Sequence, residues 1–386
     1  PEEVCVETAR SIFRGHADAP YCVAVSPTVT GGAANVMVAS GGGDDMAYVW
    51  DPRTGETVHE LRGHSESVCS IAFNHDGSLL ATAALDGGLR VWNAATGQLV
   101  QALEGPEEDI HWISWHPKGN VILAGAADML VWMWMATKGD CMQVFSGHSD
   151  GVTCGTFTPD GKGVVTGSVD GTVRVWNPKS GKCRHVFGQT DNKTEWHDRD
   201  VGGILCLAVS DDNTTVLTGG EDGTARMVTI VKKKERYVDT LKHRREGNMN
   251  GHVVEAVGFS PSSNSLPLVF TAGSAGLLIV WDRNTRERRY EVRHTNGVVQ
   301  AGFTALAPIL WTCSSDETAC LWDARSGALA KTFTGHRDVI LGCAALPMPG
   351  AKYGGVALVT CSDDQTCRVF WEEGDGGAED GGEEKH

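Results

Sequence analysis

GHSDGVTCGTFTPDGKGVVTGSVDGTVRVWN, residues 147–177, pairs a Gly-His opening with a Ser-x-Asp-Gly-Thr-Val-Arg-Val-Trp close. Related copies run the length of the 386-residue chain. The closing Trp recurs as Trp50, Trp92, Trp134, Trp176, Trp281 and Trp322, and Val228 and Phe370 hold its place in two weaker copies. The first three steps are 42 residues each and the next are 52, 53, 41 and 48, so the chain holds eight copies, two of them stretched. Six residues before each marker stands an acid (Asp44, Asp86, Asp128, Asp170, Asp222, Asp316, Asp364), with Ala275 the exception. Four residues earlier comes a small hydroxyl (Ser40, Thr82, Thr166, Thr218, Thr271, Thr312, Thr360), with Ala124 the exception. The opening His recurs as His16, His64, His148, His294 and His336. Pro106 and Asp200 replace it in the third and fifth copies. In the sixth, Gly251-His252 lies two residues out of register, so Asn250 falls at the expected place.

A unit of this period with these ends is the signature of the WD40 repeat, which folds as one four-stranded propeller blade per copy. In the second copy, VCSIAF reads as the inner strand, LLATAA as the next, LRVW as the third and QLVQAL as the outer. His75-Asp76-Gly77, Asp86-Gly87-Gly88 and Thr96-Gly97 supply the turns between them. The last copy stops near Phe370 without an outer strand, whereas Phe13-Arg14-Gly15-His16 matches Leu61-Arg62-Gly63-His64, where an outer strand ends. Residues 8–13 are therefore expected to complete the last blade and leave no open sheet edge. The expected fold is all-β: an eight-bladed propeller over residues 1–371, followed by a disordered acidic tail over 372–386.

Four copies carry the complete polar set: His16, Ser40, Asp44 and Trp50; His64, Thr82, Asp86 and Trp92; His148, Thr166, Asp170 and Trp176; His294, Thr312, Asp316 and Trp322. A hydrolytic triad needs one such constellation, and fourfold repetition excludes that reading. Indole N–H, hydroxyl, imidazole and carboxylate can satisfy one another in series, which suits struts inside a blade. The sequence has no Gly-rich phosphate loop and no metal-ligand spacing, so no metal, cofactor or catalytic residue is expected.

Composition narrows the function further. No run approaches the apolar length of a membrane span. Cys22, Cys69, Cys154, Cys206 and Cys343 fall within a residue of one another on the first strands of their blades, where a thiol acts as a small apolar group. Free thiols without a secretory signal are expected of a reducing compartment, the cytosol or the nucleus. The chain opens on Pro1 rather than Met, as expected of a piece of a longer protein. Net charge is −16, and the tail accounts for seven acids against Lys385. Such a field repels nucleic acid and anionic membrane and favours a basic partner. Two insertions stretch the fifth and sixth copies: a polar loop at 189–200, and basic runs at 232–236 (KKKER) and 242–245 (KHRR), read as a solvated patch.

Function in a propeller lies in its loops. Two residues past the opening-His position stand Asp18, Glu66, Glu108, Asp150 and Asp338, in blades 1, 2, 3, 4 and 8, which are neighbours around a closed ring. Gly202, His252 and Asn296 occupy that position in the other three. Glu107 and Asp109 thicken the arc, Asp45 and Asp363 add acids from turns at the same end, and Trp112 lies a few residues further in. All ten residues are expected to form a site for a basic client.

Residues 111–176 carry a narrower pattern: Trp115-His116-Pro117, Leu123-Ala124-Gly125, Trp132-Met133-Trp134 and Gly139-Asp140-Cys141. It strongly resembles the WD40 family that contains the angio-associated migratory cell protein of animals and its fungal counterpart, the dedicated chaperone of the large-subunit ribosomal protein L-ten. The resemblance implies an eight-bladed propeller that escorts a client during 60S assembly by holding its basic N-terminal segment, often as it is synthesised. A monomer with no direct nucleic-acid or membrane contact is expected. Members also tend to carry an acidic extension before the propeller, of which this chain shows little beyond Glu2 and Glu3. The alternative is a general scaffold in signalling or cell migration, holding folded partners.

Overall fold

A computed structural model describes residues 7–27, 36–188, 202–230, 238–243, 253–305, 307–348 and 351–374. The insertion at 189–200, the run at 232–236, residues 244–245, Asn250, His252 and the tail from Asp375 lie outside the described residues.

Eight four-stranded antiparallel sheets follow one another along the chain. Their inner strands are Pro20–Val25, Val68–Phe73, Ile110–Trp115, Val152–Phe157, Ile204–Val209, Val254–Phe259, Val298–Phe303 and Ile340–Pro347. Each inner strand packs beside the next, and the eighth returns to the first, so the ring closes. The fifth copy, which lacks both His and Trp, forms a full blade with Val228 fully buried at the Trp position.

The eighth sheet is completed by Ser11–Phe13, paired antiparallel to Cys367–Phe370. Arg10 N–H bonds to the Val369 carbonyl at 2.8 Å, and Thr8 exchanges hydrogen bonds with the Thr334 backbone. Phe13 then stacks on Trp50 of the first blade, with ring centroids 5.1 Å apart and planes at 3°. The sequence therefore zips the ring shut as expected, with an aromatic contact across the seam.

Burial follows strand position. The second strand is buried along nearly its whole length in every blade, as in LLATAA, because its faces contact the blades on either side. Outer strands are exposed or half-buried along most of their length but end on a buried apolar side chain such as Leu61, Leu103, Phe145 or Phe333. The core is accordingly a series of clusters between blades. One joins Leu79, Ala81 and Val91 to Ile122, Ala124 and Trp134. Another joins Val38 and Trp50 to Val359 and Val369. Each fully buried Val, Leu or Ile contributes about 1.5–3 kcal/mol relative to exposure.

Two boundaries differ from expectation. The acidic tail does not begin at Glu372, because that side chain forms an ion pair with Lys331 and its carbonyl accepts the Lys352 N–H at 2.8 Å. Glu373 bridges to Ala351. Lys331 on the outer strand of the seventh blade and the backbone of residues 351–352 in the eighth hold these two residues against the ring. The sixth blade also has its opening His after all, at His243 rather than near residue 250. His243 Nδ1 lies 2.8 Å from Thr271 Oγ1, and Trp281 donates to the same hydroxyl at 3.0 Å. The insertion follows the His instead of preceding it, so His243 is buried and does not belong to a solvated basic patch.

Candidate functional site

The four polar sets assemble as chains running from indole to hydroxyl to imidazole to carboxylate. In the fourth blade Trp176 Nε1–H donates to Thr166 Oγ1 at 2.9 Å, Thr166 meets His148 Nε2 at 2.8 Å, and His148 Nδ1 meets Asp170 at 2.9 Å. Corresponding chains link Trp50, Ser40, His16 and Asp44; Trp92, Thr82, His64 and Asp86; and Trp322, Thr312, His294 and Asp316. The eighth blade repeats the last three members with Thr360, His336 and Asp364. Where the pattern is worn, other groups satisfy the acid. Trp132 donates to Asp128 in the third blade, and the buried Arg226 guanidinium donates to Asp222 at 2.6 Å in the fifth. Burial alone would raise the Asp170 carboxyl. The hydrogen bonds from His148 and Thr172 outweigh it and hold the group below the usual carboxylate range. These groups are consumed by one another inside the blades and are positioned as structure.

The imidazole and carboxylate ends of these chains stand where loops enter the inner strands, and that end of the ring carries the candidate site. In all eight blades the first residue beyond the second strand donates its N–H to the carbonyl just before the inner strand, at 2.8–3.1 Å. This bond ties the entering loop to the turn between second and third strands, so both present side chains on one face. Asp18, Glu66, Glu108, Asp150 and Asp338 all lie there, and all are exposed. Glu107, Asp109 and Asp363 are exposed beside them, while Asp45 is half-buried in a left-handed turn residue with φ of 60°. None of the five arc acids forms an ion pair with a described residue.

Three arc carboxylates are held in one pose. Asp18, Asp150 and Asp338 each accept the N–H of the following residue, at 2.8, 2.7 and 2.8 Å. Asn296 makes the same bond to Gly297 at 2.9 Å in the seventh blade. A neutral amide oxygen therefore suffices for the turn, and the negative charge at the other blades exceeds what folding requires. The second carboxylate oxygen remains available to a ligand.

Trp112 does not belong to this face. A bulge after Ile110 turns its ring into the seam between the third and fourth blades, where Nε1–H donates to the Val152 carbonyl at 2.9 Å. Gly125 and Gly155 make room for it, since a Cβ on either would lie 2.2–2.3 Å from the indole. The exposed residue at that point is His111. One acid escaped the register count: Glu221, in the turn after the fifth blade's second strand, accepts the Gly203 N–H at 3.0 Å and lies on the same face. It was findable as the turn residue aligned with Asp363.

Burial pushes the inner-strand thiols up, Cys69 to about 11 and Cys154 to about 12, so they stay protonated at neutral pH. Among the described residues, no group of three or more His, Cys, Asp or Glu side chains is placed to hold a metal ion.

Fold and strut chemistry together define a WD40-type β-propeller scaffold. The family profile described as IFT122 first beta-propeller matches residues 68–371, and that of the WD domain, G-beta repeat, matches residues 7–51. Human angio-associated migratory cell protein is 34% identical over 367 residues, spanning 93% of this chain and 79% of that protein. The chain belongs to the WD40-repeat family of the angio-associated migratory cell protein. Among solved structures, Chaetomium thermophilum Sqt1 bound to the N-terminus of the ribosomal protein L10 superposes with a TM-score of 0.80 at 24% identity, covering 95% of this chain and 100% of that one. Saccharomyces cerevisiae Sqt1 gives 0.81 at 20% identity, covering 95% and 99%.

Proposed function

We propose that this protein acts by binding rather than turnover, holding an extended basic segment of a client across the face formed by Asp18, Glu66, Glu108, Asp150 and Asp338. One observation carries the reading: five adjacent blades present an exposed acid from the same loop position, where the neutral Asn296 meets the structural need equally well. Carboxylates spaced around a rim can each meet an Arg or Lys, bidentately where Arg is used. Exposed pairs contribute only about 0–1 kcal/mol each, so affinity must come from several engaged together.

The client that fits best is the N-terminal segment of a large-subunit ribosomal protein, escorted in the cytosol before 60S assembly by a monomeric propeller. Such a segment binds RNA indiscriminately when free, and a chain of net charge −16 shields it without itself attracting nucleic acid. The fold shared with Sqt1, which was solved with the N-terminus of L10, supports this choice. A tagged chain recovered from growing cells should carry one dominant basic ribosomal protein at near-equal amount. Recovery of many folded signalling proteins, with no ribosomal protein among them, would favour a general scaffold instead.

A further inference from the structure

The same face carries apolar side chains where the ring has no structural use for them. Leu85 and Val169 stand in the turns after the second strands of blades 2 and 4, each 40% exposed, and each donates its N–H to the loop that presents the neighbouring acid, Glu66 or Asp150. Blades 5 to 8 fill that turn position with Glu221, Ser274, Ser315 and Asp363. The large apolar residues at this position thus fall in blades 2 and 4, both within the arc, where blade 3 has Ala127. In blade 1 the turn residue is Gly43, and a Cβ there would meet the Tyr21 hydroxyl at 2.9 Å and the Asp18 carboxylate at 3.2 Å. The hydroxyl of the 41%-exposed Tyr21 and the Asp18 carboxylate therefore both lie beside Gly43.

Blade 3 adds an independent sign. Its turn puts Met129 at φ 65°, a conformation that blades 2, 4, 5 and 6 give to glycine (Gly87, Gly171, Gly223, Gly276; φ 70–74°). The other non-glycine residues at this position, Asp45, Glu317 and Gln365, are polar. Met129 is 44% exposed. A strained residue that exposes a soft, adaptable side chain beside a row of acids is poorly explained by folding and well explained by a ligand.

We infer that the captured segment alternates basic residues with large apolar ones, and that Tyr21, Leu85, Met129 and Val169 receive the apolar side chains while the neighbouring acids hold the cations. An extended chain turns successive side chains to opposite sides. In blades 2 to 4 the acids and apolar groups lie in separate but hydrogen-bonded loops, so the two rows can be read together. The inference rests on the reading of this face as a site for a basic segment and adds its second specificity.

Two synthetic peptides of equal length and charge separate the two ideas: arginine alternating with serine, and arginine alternating with leucine. Fluorescence anisotropy on the full chain should show the leucine peptide binding about tenfold tighter, with the advantage surviving high salt. Combining Leu85→Ser with Met129→Gly should cut that advantage by at least half, leave the serine peptide's affinity unchanged and keep the melting temperature, since glycine suits the Met129 backbone. Equal binding of the two peptides by the wild-type chain overturns the inference while leaving the basic-segment reading intact. A preference undiminished in the double variant also overturns it. Failure of both peptides to bind overturns the inference together with the reading beneath it.

Discussion

Asp170→Ala should destabilise the propeller by about 3 kcal/mol. The Asp170 side chain is nearly buried and accepts four hydrogen bonds: from His148 Nδ1 at 2.9 Å, Ser149 N–H at 3.0 Å, and Thr172 N–H and hydroxyl at 2.8 and 2.6 Å. Ser149 is exposed, so its N–H regains water on truncation. His148 and the Thr172 hydroxyl already approach within 3.1 Å and can partly serve each other. The buried Thr172 N–H has no such recourse, and an orphaned buried donor costs about 1–3 kcal/mol. One full loss and one partial loss give about 3 kcal/mol. Unfolding entropy of about 2 cal/mol/K per residue makes that a fall of about 4 °C in melting temperature for a ring of this size. Calorimetry should find Asp170→Asn, which keeps one acceptor, between Asp170→Ala and wild type, and the exposed Glu108→Ala indistinguishable from wild type. If Asp170→Ala melts with Glu108→Ala, the strut account of the polar sets is wrong.

Other perturbations test other joints of the account. His243→Ala should cost stability comparable to loss of an opening His elsewhere, whereas mutation of His252 should be silent in a melting curve. Burial depresses the folded-state pKa of His64, helped by Arg90, and of His336, whose partner Asp364 offsets part of the effect. The unfolded chain then binds more protons below the usual imidazole pKa of about 6.5, so the urea midpoint should fall between pH 7.5 and 5.5; a flat profile would contradict neutral struts. Truncation after Gly374 should leave the melting curve unchanged, while truncation after Trp371 should lower it, because the second removes the Glu372–Lys331 pair and the Glu373 bridge.

Much of this was legible from spacing alone. A Trp, Asp, hydroxyl and His recurring at fixed offsets, complete in four copies and partial in the rest, reveals blade number and strand order. Strand closure by residues 8–13 was readable because Phe13 precedes His16 as Leu61 precedes His64. What the spacing hid was chemistry that substitutes for itself. Arg226 meets Asp222 where no described His does, and His243 lies ahead of an insertion, so counting back from the inner strand misses it. Trp112 was misplaced because a one-residue bulge reverses the side of the sheet a residue faces. The apolar row stayed invisible because Leu85 and Val169 read in sequence as ordinary strand-end hydrophobics, and only their exposure sets them apart.

The central claim is that the acidic arc holds the client, and one binding series tests it most directly. An arginine-rich peptide is titrated into the wild-type chain, into Glu66→Lys with Glu108→Lys, and into Asp76→Lys with Asp160→Lys on the opposite face. Each titration is repeated as the screening length shrinks from about 8 Å near 0.15 M salt to about 3 Å near 1 M. The account predicts that wild type and the opposite-face variant bind alike and weaken steeply with salt, and that the arc variant does not bind while keeping its melting temperature. Equal loss in both variants, or affinity indifferent to salt, would contradict it.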